Sequence, residues 1–369
     1  MKVYMKFIFF IISSVSLAIT LFTNQSNLYF SSFLQKGKYD NTEMYLRMIA
    51  SENHYFGQDL KELEESFIGN VIELATNINI KDVRSLIFDE IPGLYTLTSE
   101  IIVARDGSDF TNLPIESSPP IEELMKDREV DEDSLENIDK DKPKPPIELP
   151  KKNTVFIYHS HNRESFIPHL KGTNNANTAQ HKDINITLVG QRFGEKLLEK
   201  GIGAVVDTTD IAATLSERNW KYYQSYQASR EVVTEALANN KDFIYLLDIH
   251  RDSSKREKTT TTINGKSYAR VYFVVGSGHN NWQRNKQFAE EFYQYIIDRY
   301  PTLARGVYEK SKKEGNGVYN QDLSPNSVVI EIGGIENNLE EMYRTADLLA
   351  ELFAEYYWQA AEEVSGNTN

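Results

Sequence analysis

The stretch "TVFIYHSHNRESF", residues 154–166, decides how the chain is read. Thr154 to Tyr158 is an unbroken run of β-branched, aromatic and aliphatic side chains, the signature of a strand buried on both faces. It stops abruptly at His159-Ser160-His161, and a carboxylate, Glu164, follows three residues later. Only seven histidines occur among 369 residues. Two at one strand end point either to chemistry or to a polar sheet edge, and the rest of the chain has to decide between them.

Downstream, strand and helix patterns alternate. "INITLVGQRFGEKLLEKG" (184–201) carries Ile186, Val189, Phe193 and Leu197 on one helical stripe, with Gly201 as the stop signal. "GAVVDT" is a second strand, "SYQASREVVTEALANN" a helix and "DFIYLLDIH" (242–250) a third strand. "TTTTINGKSYARVYFVVG" reads as a hairpin, because Asn264-Gly265 between β-rich runs favours a type I′ turn. A helix ending before Pro301, the strand "SVVIEIGG" (327–334) and a long C-terminal helix complete the pattern. This order predicts an α/β domain over 151–363, with a mostly parallel central sheet and helices on both faces.

Upstream, the composition differs. Lys2 and Lys6 precede or begin an uncharged apolar stretch, Phe7 to Phe22, and no further charge appears until Lys36. This predicts an N-terminal membrane anchor over 1–23, with the short end inside and the bulk of the chain outside. Ser16-Leu17-Ala18 resembles a signal-peptidase site, but the apolar run continues past it, which favours an uncleaved anchor. Residues 24–105 contain segments of helical spacing and read as a small helical extracytoplasmic region. Residues 106–150 hold seven of the eleven prolines and a strongly acidic run. They read as an extended linker that buries too little apolar surface to offset its ordering entropy.

Composition excludes several functions. There is no cysteine, so no disulfide and no Cys-based metal site can form. The formal net charge is −14, against the basic stripe that nucleic acid requires. No glycine-rich phosphate loop joins a strand to a helix, and Ser160 and Ser165 lack the strand–elbow–helix setting of a nucleophile.

What remains converges on one sheet edge. In α/β sheets ligands bind beyond the carboxyl ends of the strands. The first strand ends on His159 and His161, the third on His250, and the last carries Glu331; His181 opens the first helix on the same edge. Asp248 lies two residues before His250 and so shares its face, as an orienting carboxylate would. Glu331 stands between Ile330 and Ile332, where an unpaired carboxylate is expensive unless a cation faces it. Three protein ligands and an open position suit a hydrolytic zinc ion, with Glu331 as general base. His54, His169 and His279 read as structural or surface residues.

Beyond these residues, "IYHSHNRESF", "NITLVGQR", "YLLDIHRDS", "GKSYARVYFVVG" and "GNGVYNQDLSPNSVVIEIGGIENNLEEMYRTADLLAE" resemble the stage II sporulation protein P family over roughly 150–355. That family is similar to the zinc-dependent N-acetylmuramoyl-L-alanine amidases. The resemblance implies a Zn2+ peptidoglycan amidase, with possible endopeptidase activity on cross-links, acting during forespore engulfment. It implies partnership with stage II sporulation proteins D and M. It also implies His161 and His250 as metal ligands and Glu331 as the catalytic carboxylate. The helix-opening ligand falls on His181, where the amidases carry a glutamate; Glu164 and His159 are the competing candidates. A non-catalytic wall-binding scaffold and a zinc peptidase acting on protein are the alternatives.

Overall fold

Seven strands form one twisted sheet, and its order places the histidine-bearing strands side by side at the centre. The computed structural model describes residues 101–104, 113–135, 138 and 150–366, all within the unit Ile91–Asn369. The expected anchor at 1–23, and the expected helical region as far as residue 100, lie outside the described residues. Among the described residues no helix is long and apolar enough to cross a membrane.

In chain order the elements are β1 (Ile101–Ala104), α1 (Ile121–Leu124), β2 (Asn153–Tyr158), α2 (Ile186–Glu199), β3 (Gly203–Val206), α3 (Ile211–Glu217), α4 (Ser225–Asn239), β4 (Tyr245–Asp252), α5 (Arg256–Thr259), β5 (Thr260–Ile263), β6 (Lys266–Ala269), β7 (Val271–Gly276), α6 (Trp282–Arg299), β8 (Ala304–Lys310), β9 (Asn326–Gly334) and α7 (Leu339–Gly366). The large sheet runs β1-β8-β7-β9-β4-β2-β3, and β5 and β6 form a separate pair. Strands β3, β2, β4 and β9 are mutually parallel. Strands β7 and β8 are parallel to each other, but β7 meets β9 antiparallel and β1 meets β8 antiparallel. The sheet is therefore mostly parallel, as the sequence implies, with reversals between β9 and β7 and at the edge strand β1.

Alternation along the strands sends two residue sets to two faces. Ile157, Ile249, Ile330 and Ile332 join α2, α6 and α7 in the main core. Phe156, Tyr158 and Leu246 face α4 through Val233. The stripe Ile186, Val189, Phe193 and Leu197 of α2 is wholly buried, each side chain worth roughly 1.5–3 kcal/mol of transfer free energy. Helix α2 starts where the Asn185 side chain accepts the Thr187 amide at 2.9 Å and stops before Gly201, whose φ is +79°. The turn between β5 and β6 has φ of 50° at Asn264 and 76° at Gly265, both left-handed as a type I′ turn needs.

Two expectations need correction, and one strand lies outside the sequence reading. Residues 101–104 form an edge strand rather than part of a helical region; "IIVA" is too short to show a period. Residues 113–135 of the expected linker pack on the domain, where two of their apolar side chains, Leu113 and Leu124, are buried. Strand β8 escapes a reading by hydropathy because Arg305, Glu309 and Lys310 occupy three of its seven positions.

Candidate metal centre

The turn after β2 brings the first two donors together. The Glu164 amide donates to the His161 carbonyl at 3.1 Å, which folds the carboxylate back over the imidazole. Arg163 anchors the turn through a forked pair with Asp210, at 3.1 and 2.6 Å, and Asn162 donates to the same carboxylate. Glu164 then reaches both histidines: Oε1 lies 3.7 Å from His161 Nδ1 and Oε2 3.6 Å from His250 Nδ1. The two imidazoles meet edge-on with centroids 4.8 Å apart. Among the described residues, His161, Glu164 and His250 form the group of donors whose ligand atoms lie within 4.8 Å of one another.

These residues fit a zinc ion. Ligand bonds of about 2.0–2.1 Å set tetrahedral donor atoms roughly 3.3–3.5 Å apart, close to the 3.7 and 3.6 Å from Glu164 to the two imidazoles. His161 Nδ1 and His250 Nδ1 are buried and have no hydrogen-bond partner, a costly state unless something binds them. Burial opposes charge on Glu164, but the two imidazoles and Arg251 outweigh it and hold the carboxyl well below its ordinary value. Its Oε2 also accepts the Arg251 amide at 2.9 Å. Asp248 Oδ1 lies 2.9 Å from His250 Nε2 and accepts the Ser160 amide at 2.9 Å, while Oδ2 accepts the Ser160 hydroxyl at 2.6 Å. Asp248 thus lies at ion-pair distance from the His250 ring, on the face that its spacing implies.

Glu331 completes the centre. It is 2% exposed, and its Oε2 has no partner. Burial pushes its carboxyl well above the ordinary value; the His250 charge opposes this and the nearby Glu164 adds to it. Tyr226 and Tyr222 wall the site, the former 5.2 Å and the latter 4.5 Å from the His161 ring centroid. Sequence reasoning passed over both, because their role appears only once α4 and the turn before it are folded over the strand ends. The Tyr226 hydroxyl is buried without a partner, and burial keeps it protonated far into the alkaline range.

Two expected candidates do not join this group. Glu164 pairs with Gln180 in an antiparallel bridge, so the next residue, His181, points to the opposite side. His181 Nδ1 accepts the amides of Asp183 and Ile184 at 3.0 and 2.9 Å and shapes the approach to α2. Glu164 rather than His181 is the residue grouped with His161 and His250. His159 faces the other side of the sheet, where its Nδ1 lies 2.9 Å from the Ile249 carbonyl oxygen and its ring packs against Gly190 of α2. A Cβ on Gly190 would stand 2.3 Å from the His159 ring, which explains the glycine in the middle of α2. His169 is buried against Ser134 and α7, and His279 is half-buried in the loop before α6.

The family model for stage II sporulation protein P (SpoIIP) matches residues 81–354. The chain belongs to the stage II sporulation protein P family. Stage II sporulation protein P of Bacillus subtilis (strain 168) is 43% identical over 337 residues, covering 88% of this chain and 84% of that protein. Among solved structures, an N-acetylmuramoyl-L-alanine amidase from Clostridium difficile 630 is 21% identical with a TM-score of 0.33, covering 57% of this chain and 97% of that one. A metallo-carboxypeptidase from Burkholderia cenocepacia is 13% identical with a TM-score of 0.32, covering 58% and 59%. Likeness at that level carries no argument, and the centre rests on its own geometry.

Proposed function

We propose that this member of the family is a zinc-dependent peptidoglycan hydrolase that cleaves the N-acetylmuramoyl-L-alanine amide bond, with peptide cross-links as a second target. The observation that carries the reading is the convergence of His161, Glu164 and His250, with both Nδ1 atoms orphaned, beside the unpartnered carboxylate of Glu331.

His161, Glu164 and His250 would hold the metal, and Asp248 fixes the ring of His250. Bound there, zinc supplies Lewis acidity towards the amide carbonyl and acidifies water. Glu331 takes the proton of the attacking water and delivers it to the departing amine. A divalent charge opposite Glu331 would bring its raised pKa down into the range of a working base. The Tyr226 hydroxyl, protonated and unpaired, is available to donate to oxygen at the reacting carbon.

The wider assignment follows the family resemblance. The enzyme would be held at the cell membrane by residues 1–23, with the catalytic domain outside, acting in engulfment with stage II sporulation proteins D and M. Digestion of purified sacculi by the zinc-loaded protein, with mass spectrometry of the products, tests the reaction. Free stem peptides with new alanine N-termini are expected. Release of glycan fragments alone, or no release, would overturn it.

A further inference from the structure

Lys310 is a buried cation for which amide hydrolysis has no use. It ends β8, its side chain is 9% exposed, and its Nζ lies 2.8 Å from Glu116 Oε1. An ammonium at such a depth needs a carboxylate partner. The partner it has does not come from the sheet. Glu116 belongs to the strap Leu113–Pro120, which runs between β7 and β8 and the carboxyl end of β4. Leu113 packs on Tyr272 and Tyr308 at one end. Ile115 exchanges bonds with the end of β4: its amide donates to Asp252 Oδ1 at 3.2 Å, and its carbonyl accepts the Ser253 amide at 2.9 Å. The Ser118 amide donates to Asn177 Oδ1 at 3.2 Å on the far side.

The strap lies over the metal centre. The Ser117 hydroxyl accepts from Gln180 Nε2 at 3.5 Å, and Gln180 pairs in turn with Glu164 of the centre. Beneath it His161, Glu164, His250 and Glu331 are each 4% exposed or less. A hydrolase of a polymer cannot take up its substrate through such a cover. The strap is tied by isolated bonds rather than a strand ladder, and although Leu113 and Ser117 are buried, Ile115 at its middle is 57% exposed. A segment so sparsely tied opens at far lower cost than the sheet below it. Once it leaves, Lys310 lacks a counter-charge, and a carboxylate on the incoming substrate can restore it.

We propose that Lys310 binds a substrate carboxylate near the scissile amide, and that Glu116 holds this place as an internal competitor until the strap Leu113–Pro120 is displaced. The inference rests on the hydrolase reading and names its substrate class: a stem peptide bearing a free acidic residue.

The test uses the full zinc-loaded chain as wild type, E116Q and the double variant E116Q/K310Q, which leaves no charge unpaired. Two muropeptides are compared, one with a free stem carboxylate and one with that group amidated. Hydrogen exchange at the strap amides should quicken in both variants. E116Q should lower KM for the acidic muropeptide by about threefold to tenfold, and the double variant should raise it about tenfold above E116Q, the scale of one charged hydrogen bond. The amidated muropeptide should not separate the two variants. A purely structural ion pair would leave the double variant as active on the acidic muropeptide as E116Q, which would overturn the proposal. So would unchanged strap exchange and KM in E116Q. If no protein cleaves either muropeptide, the hydrolase reading has failed. Calorimetric binding of the same two compounds then decides the carboxylate site by itself: tighter binding of the acidic compound to E116Q than to the double variant supports it, and equal binding refutes it.

Discussion

His250 and Glu331 stand opposite each other in the register of the parallel pair β4–β9. Residues so paired share a face of the sheet, so the proposed ligand and the carboxylate proposed as base are held by adjacent backbones rather than by loops. Replacing Glu331 with Gln keeps the shape and removes the base. The variant should bind zinc normally and lose activity by about 100-fold or more. Loss of metal, measured by atomic absorption, would make Glu331 a ligand instead.

Glu164 and His181 offer a sharp contrast. E164Q should weaken zinc binding by more than the ~10–100-fold typical of outer partners. H181Q should keep stoichiometric zinc but lose about 1–3 kcal/mol of stability, because two backbone amides lose their acceptor. Metal titration and urea unfolding of both variants separate the roles.

Gly190 should not tolerate a methyl group. The His159 ring it faces is fixed at the Ile249 carbonyl, so it cannot swing aside cheaply. G190A should destabilise the domain by about 1–3 kcal/mol, the usual cost of overpacking, although alanine is the better helix former. Thermal unfolding checks the sign.

His169 should make the fold sensitive to acid. The Leu339 amide donates to its Nε2 at 2.8 Å, and burial, only partly opposed by Asp131, lowers its pKa to about 4. The unfolded imidazole titrates near its ordinary value of about 6.5. Between those values the unfolded chain binds the extra proton. Stability is therefore complete above about pH 6.5 and is lost as pH falls towards 4, by up to about 3 kcal/mol. Urea midpoints across that range should flatten in H169Q relative to wild type.

The central strands and long helices were legible because their apolar periods are long and uninterrupted. His161, His250, Asp248 and Glu331 were legible because each stands at or near a strand's carboxyl end. The choice between Glu164 and His181 was not, since it depends on a single bridge, Glu164 to Gln180, formed within a loop. Lys310 was hidden with β8 itself, and Glu116 by an acidic, proline-rich context that looks like a tether.

The donors also fix an order of events. His161 and Glu164 are neighbours, but His250 lies 86 residues beyond Glu164 in the chain, and β9 further still. Parallel pairing across such loops is slow, and two local donors alone make a poor trap for a metal. The sheet must assemble before the proposed zinc ion could settle, so the ion would act as a late clasp on β2 and β4 rather than as a template. Its affinity then appears almost entirely as resistance of the finished domain to unfolding, and chelation should hasten unfolding while leaving the rate of refolding nearly untouched.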